Sequence, residues 1–272
     1  MKKNIYFAPL FFFISILCFS PAKVLCAEEF HCEVLSLHGH ATVMDADQKV
    51  RELKEGDLLG KDESLEVAPD SAVDLAFDKE WKNVVRVEEK SKLNGAQIYP
   101  TKLELGQGGV FAKLKALPKD SSFDVKTPTA VATVRGTEYR TTYVDGHTEV
   151  FNVSPSKVFV YGVKADGSVN REQSVVLEQS KKTQVLNAGE VPKPSQDLSE
   201  QEAKIGEKLK ADIETKIQEV QSSGRISKIQ SVADLETLAK DRQIEPNSTD
   251  ESRVVDLRRR PFKKVDSATN NV

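Results

Sequence analysis

The chain is poor in the residues on which most site chemistry is built, with four histidines, three cysteines and one tryptophan among 272 residues. So few histidines leave nucleophilic triads little to work with, and neither a Gly-x-Ser-x-Gly elbow nor a His-Glu-x-x-His helix occurs. Cys18 and Cys26 fall in a leader-like N-terminus, so after its removal Cys32 stands alone and an internal disulfide framework is excluded. An unpaired thiol could bridge two chains in an oxidising compartment, but a small, partly buried side chain is the plainer reading of Cys32. Gly106-Gln107-Gly108-Gly109 lacks the third glycine and the helix start of a dinucleotide loop, and reads as a turn or bulge between strands. A basic excess is lacking too. The formal charge is −3, and loss of Lys2, Lys3 and Lys23 with the leader takes it to −6, which gives no support to nucleic-acid binding.

Other candidate chemistry is equally thin. His38-Gly39-His40 places two imidazoles on one face of a strand, with His31 and Cys32 close by. A zinc site needs about four ligands and a second shell, and His147 is the one remaining histidine. These are read as exposed or turn histidines, with no metal and no cofactor. Glu88-Glu89 could in principle serve a glycosidase, but acids are abundant and a charged turn is the better reading. No catalytic residue is assigned, and the chain is not expected to be an enzyme.

What is present begins with Met1-Lys2-Lys3 and an apolar block from Ile5 to Phe19, the layout of a signal peptide. That block is too short to span a bilayer comfortably, and no later block could be a transmembrane helix. Cleavage is expected near Ala27. Leu25 is bulky where lipoprotein signals place a small residue before the cysteine, so soluble export to the periplasm or beyond is expected over lipidation at Cys26.

From about Glu33 to Asn187, short β-branched runs alternate with Gly, Pro, Asp and Asn, the pattern of an all-β domain. Val73, Leu75 and Phe77 alternate with Asp74 and Ala76; Val85 and Val87 flank Arg86; Leu103 and Leu105 flank Glu104. Period two of this kind marks half-buried strands. Asp145-Gly146 between two such runs predicts a tight hairpin. After Pro194 the composition turns to Glu, Lys, Gln and Ala. Ile205, Leu209, Ile213, Ile217 and Val220 then form one helical stripe over 198–223, opened by a Ser199/Glu202 capping box and closed by Gly224. So narrow a stripe is expected to dock on the β domain, or to self-associate or pair with a partner as a coiled coil would. A shorter helix is expected around Val232–Leu238. The polar tail beyond reads as disordered, with Arg258-Arg259-Arg260, Phe262 and Lys263-Lys264 as a basic patch that could meet an anionic surface. The expected division is a signal peptide at 1–27, a β domain with trailing strands at 28–190, a helical tail at 191–245 and a disordered end at 246–272.

The segment Phe123-Asp124-Val125-Lys126-Thr127-Pro128-Thr129-Ala130-Val131-Ala132-Thr133-Val134-Arg135-Gly136-Thr137-Glu138-Tyr139 resembles the signature of FecR-like domains, roughly T-P-x-A-x-A-G-V-R-G-T-x-F. Gly39, Leu53 with Gly56-Asp57, Ser71 through Phe77, Ser91-Lys92-Leu93 and Gly109-Val110 fit as earlier landmarks. Thr133 stands where the family commonly has glycine, and Ser154-Pro155-Ser156 where a Glu-Gly turn is usual. The resemblance implies a mainly β fold, solenoid-like or sandwich-like, here with a C-terminal helical tail. It makes Thr127, Pro128, Ala130, Val134, Arg135, Gly136 and Thr137 signature residues with a structural or ligand-contact role. Between those roles structure is preferred, with Arg135 paired to an acid inside the sheet. In the family's iron-uptake branch, the resemblance implies a relay from an outer-membrane receptor to a sigma factor through a membrane span and a cytosolic segment. Neither of these precedes Glu33 in the sequence. The leading expectation is therefore an exported binding or scaffolding protein of the cell envelope, its partner an envelope protein or polysaccharide. A FecR-type signal relay is the alternative, and an envelope polysaccharide hydrolase ranks last.

The export expectation is checked by sequencing the N-terminus of the protein recovered from fractionated cells. The mature chain should begin close to Glu28 and appear without detergent; an uncleaved or lipid-modified N-terminus would refute it.

Overall fold

A computed structural model describes residues 32–60, 62–98, 101–115, 117 and 121–229. The leader with Cys18 and Cys26, His31, the helix expected around Val232, and the tail with its basic patch lie outside the described residues. Within them the fold is mainly β with one C-terminal helix, as the alternation predicts.

The strands form two layers joined through one long strand. The front sheet runs in the order β4 (Leu58–Leu59), β1 (Cys32–His38), β6 (Ala72–Ala76), β7 (Asn83–Val87), β9 (Thr101–Leu114), β12 (Glu138–Val144), β13 (His147–Asn152), β16 (Lys181–Val185) and β17 (Gln196–Asp197). The back sheet runs β3 (Val50–Glu52), β2 (Ala41–Met44), β5 (Ser64–Val67), β8 (Lys92–Ile98), β9 again, β10 (Phe123–Lys126), β11 (Ala130–Val134), β14 (Val158–Val163) and β15 (Val169–Leu177). Only the β9–β10 pairing is parallel among these. β9 serves both sheets, its first half pairing with β8 and its second with β7 and β12. The predicted bulge lies at this change of sheet: Lys92 faces Gln107 while Leu93 faces Leu105, so Gly106 is the extra residue.

Inward-facing side chains of both sheets fill one core, among them Val34, Leu75 and Val85 from the front and Val43, Leu65, Phe123 and Val125 from the back. Phe77 meets Phe123 edge to face at 5.5 Å between ring centres, a favoured aromatic geometry. The Asp145-Gly146 hairpin joins β12 to β13 with both turn residues at positive φ, as a two-residue turn of this twist requires.

Elsewhere the chain passes from one sheet to the other in arches, and the arches stack. Two contacts of one kind hold the first stack. A Cβ on Gly39 would sit 2.2 Å from Ser71 Oγ, and one on Gly108 would sit 2.2 Å from Ser91 Oγ and 2.5 Å from its Cα. Both glycines have positive φ. The serine hydroxyls use that proximity: His40 N–H donates to Ser71 Oγ at 3.0 Å and Gly109 N–H to Ser91 Oγ at 2.9 Å. The scattered glycines and serines of the sequence are thus paired positions of neighbouring arches. A second stack is tied by Asn152, which is fully buried. Its Oδ1 accepts from Thr137 Oγ1 and Ser154 N–H, and its Nδ2 donates to the Ser156 and Leu177 carbonyls. Three successive crossings meet on that one side chain, and the Ser154-Pro155-Ser156 turn is one of them.

The helix α1 (Glu200–Ser222) begins at the expected capping box, Ser199 accepting from Glu202 N–H and the Glu202 side chain accepting from Ser199 N–H, and Gly224 follows it at positive φ. Twenty-three residues make a rod of about 34 Å, which is the width of about seven strands. Accordingly α1 crosses the outer side of the front sheet from β16 to β1. Leu209, Ile213, Ile217 and Val220 pack there against Leu35, Trp81, Val84 and Phe111 in a second core, with Ile213 fully buried. Docking, one of the two expected fates of the stripe, is what the structure shows. One member departs from expectation. Ile205 is exposed, and Gly206 takes the inward place because its Cα lies so near β13 that a Cβ would meet Val153 Cγ1 at 2.4 Å.

Gly108→Val and Asn152→Ala should each lower the unfolding free energy by roughly 1–3 kcal/mol, the first by strain at a positive-φ close approach, the second by stranding buried donors and acceptors. Urea unfolding measures this, and unchanged midpoints for both would mean the arches do not hold the fold.

Candidate functional site

The signature segment occupies a hairpin, a strand and an arch. Thr127 and Thr129 are buried at the β10–β11 turn, where both hydroxyls meet Thr148 Oγ1 at 2.6 Å. Thr127 Oγ1 also accepts from Ala130 N–H at 2.9 Å. Ala130 and Val134 point into the main core. Gly136, at φ 135°, turns the chain towards the front sheet, and the buried Thr137 hydroxyl pairs with Ser154 Oγ in the second arch stack. Pro128 and Arg135 are the exposed members, and β11 separates them, so the seven residues do not converge on one site. The expected pairing of Arg135 with an acid inside the sheet is not found: the side chain is exposed and makes no ion pair among the described residues. The chain turns at Gly136, and Arg135 is left on the solvent side of that turn.

The arginine–carboxylate pairs inside the structure belong to the front sheet. Asp74 and Arg86 are cross-strand partners on β6 and β7. Arg86 Nε donates to Asp74 Oδ1 at 2.7 Å and Nη2 to Oδ2 at 2.8 Å, while Ser36 Oγ adds a third donor at 2.7 Å. Such forked, fully donated geometry is what a buried charge pair needs to offset its lost hydration. Arg140 of β12 makes a second fork to Glu88, at 2.6 Å through both nitrogens, and lies over the Phe151 ring.

The helix completes this charge system. Asp212 reaches Arg86 at 3.4 Å, Glu214 reaches Lys113 at 3.3 Å, Lys210 reaches Glu138 at 2.8 Å, and Glu202 pairs with Lys182. Burial and neighbouring Lys115 push the Lys113 ammonium below its ordinary range, with Glu214 opposing them. Past the helix, Arg225 closes the far side. It donates to Glu33 Oε1 at 2.7 Å and to the Val34 and Leu35 carbonyls, while Ser227 Oγ and Lys228 N–H saturate Glu33 Oε2. Glu33 is fully buried. Asp78 makes a local clasp nearby, accepting from the N–H groups of Glu80, Lys82 and Asn83 and so holding the loop that places Trp81 beneath the helix. Sequence reading missed Asp74 and Arg86 as partners, although each occupies the polar place in its period-two run.

The remaining candidates separate. His38 and His40 are exposed on either side of the Gly39 arch, and His40 lines an open depression with Thr42, Glu66, Pro69, Lys90 and Lys92. Among the described residues no group of three His, Cys, Asp or Glu is placed to hold a metal ion. Cys32 is buried, not semi-buried, and burial pushes its thiol up to about 12, so the thiolate needed for bridging is suppressed. Glu88 is taken by Arg140 and Glu89 receives the Asp70 N–H, so the two do not act as a carboxylate pair. No described helix is long and apolar enough to cross a membrane.

Comparison with known proteins gives one family: residues 63–156 match the model described as FecR protein. The match runs from the start of β5 to the Ser154-Pro155-Ser156 turn, taking in Ser71, the Ser91–Gly108 contact and Asn152. No curated protein matches the chain. Among solved structures, two described as candidate anti-sigma factors from Parabacteroides distasonis are similar. The one at 1.65 Å has a TM-score of 0.41 and 15% identity, over 51% of this chain and 61% of that one. The one at 2.50 Å has a TM-score of 0.31 and 17% identity, over 50% and 55%. Both overlaps are loose and partial, and they do not bear on function.

Asp74→Ala leaves the Arg86 guanidinium buried without its fork and should cost roughly 3–5 kcal/mol, whereas Arg135→Ala should stay within about 0.5 kcal/mol of the unaltered protein. Denaturant titration of both variants checks the assignment. The reverse order of stabilities would return the structural arginine to Arg135.

Proposed function

We propose that the chain is an exported, non-catalytic regulator of FecR type, which receives an envelope partner on its β body and passes that event on by contact. The observation that carries this reading is the FecR match over residues 63–156, which includes the Ser91–Gly108 contact and Asn152. The periplasmic or secreted location rests on the leader-like N-terminus. An exported binding or scaffolding protein without a relay, the reading that the sequence ranks first, is second here. The relay is favoured because α1 is held to the front sheet by four separate ion pairs around a narrow apolar stripe. Such a cover is open to displacement by a partner with competing charges, since partly exposed pairs are individually weak.

Transcript profiling of cells that lack the protein, and of cells carrying Ile213→Asp to uncover the front sheet, tests the relay. A narrow set of transcripts should change in both. Unaltered transcripts in both strains, with an envelope protein still captured by crosslinking, would leave the binding or scaffolding reading in its place.

A further inference from the structure

The two outer faces of the sandwich are unlike. α1 covers the front sheet, while among the described residues no helix lies on the back sheet. Across that open face, register places Lys102, Asp124, Thr133 and Phe159 side by side on β9, β10, β11 and β14. Tyr161 follows Phe159 by two residues, so it shares the face about 7 Å further along. Arg171 of β15 lies over the Tyr161 ring at 5.8 Å.

Two features of this row are unfavourable in the fold by themselves. Phe159 is 37% exposed, although a phenyl ring gains by burial. Asp124 is 9% exposed, and its Oδ1 has no hydrogen-bond partner. A buried carboxylate oxygen without a donor costs stability, and such a local violation is what a binding site retains. Burial raises the Asp124 carboxyl above its ordinary range, while the Thr133 and Ser122 side chains and the charges of Lys102 and Arg171 pull it down.

The ligand must therefore bring hydrogen-bond donors to Asp124, acceptors to Lys102 and Arg171, and an apolar face to Phe159. A phospholipid headgroup that brings donors also brings its phosphate, which would lie against Asp124. An added peptide strand would pair along a sheet edge and not across a face. A nucleic acid would set its phosphates against Asp124. A sugar ring carries hydroxyls that donate and accept around a C–H face that stacks on aromatics. We propose that the outer face of the back sheet is a saccharide-binding platform, with Phe159 under a sugar ring, Asp124 accepting from hydroxyls, and Lys102 and Arg171 donating to ring substituents, Arg171 being held over the Tyr161 ring. The site lies on the opposite side of the sandwich from α1 and does not depend on the regulatory reading.

Calorimetric titration of the full mature chain with tetra-N-acetylchitotetraose and with cellotetraose tests this. At least one should bind with a submillimolar dissociation constant. Phe159→Ala should weaken binding about tenfold, as expected when an aromatic contact worth around 1.4 kcal/mol is lost. Asp124→Asn should weaken it severalfold by removing a charged acceptor, and it should also raise the melting temperature at neutral pH. The sign follows from the raised carboxyl: its charged form is disfavoured in the fold, so the gain is full above the raised value and vanishes as pH falls below the ordinary carboxylate range. Arg135→Ala, beyond the row, should bind as the unaltered chain does. The proposal is overturned if neither sugar binds at 10 mM, a roughly 3 kcal/mol limit, if both row variants bind normally, or if anionic phospholipid vesicles bind at this face and the sugars do not.

Discussion

Where the chain changes sheet at Gly39 and at Gly108, a neighbouring arch lies directly against it, and the backbone must pass without a side chain in the way. Gly39 against Ser71 and Gly108 against Ser91 answer that constraint in the same manner: hydrogen atoms where a Cβ would sit 2.2 Å from a hydroxyl oxygen, and a serine that converts proximity into a bond with the next backbone N–H. The spacing of the arches sets the distance between the sheets and hence the core. It also fixes β9, which bends at Gly108 and contributes to both layers. Further along, Asn152 plays the same part with hydrogen bonds instead of steric fit, joining three crossings through one saturated amide.

On this frame the front sheet buries a charge system that water would otherwise hold. Asp74 and Arg86 face each other across two strands, so their fork needs no long-range search. The helix then removes much of the remaining solvent and adds Asp212 at the rim. Glu33 is treated in the same way by the segment after the helix, with Arg225, Ser227 and Lys228 all directed at one carboxylate. The helix therefore depends on charge complementarity as much as on its apolar stripe, which contributes one fully buried isoleucine. An element held in that way is stable while its partners are in register and sensitive to anything that competes for them.

The two outer faces follow different physical logic. The front face is apolar enough to require a cover and charged enough to choose α1 as that cover. The back face remains soluble through Lys102, Lys126, Glu104 and Arg171, yet it leaves Phe159 partly bare and one oxygen of Asp124 unpaired. The proposed regulator would have use for both: one face closed by its own chain, the other left uncovered among the described residues.

Much of this was legible from local pattern. Period two, the Asp145-Gly146 hairpin, the bulge at Gly106 to Gly109 and the Ser199 cap were readable because each is decided by a few neighbouring residues and by backbone stereochemistry. The signature from Thr127 to Thr137 marked a structurally constrained segment, and the structure shows the constraint to be buried hydroxyls at a hairpin and an arch. The role of Arg135 was not legible, because a single chain does not say on which side of a positive-φ turn the preceding side chain falls. Alternation correctly placed Asp74 and Arg86 on an outer face, where sequence alone equates outward with solvent. What the sequence determined by itself is which residues point to which side of their strand, since that depends only on the two-residue repeat. What only the tertiary structure decided is whether that side meets water, because burial depends on a helix more than a hundred residues away in the chain choosing one outer face and leaving the other uncovered.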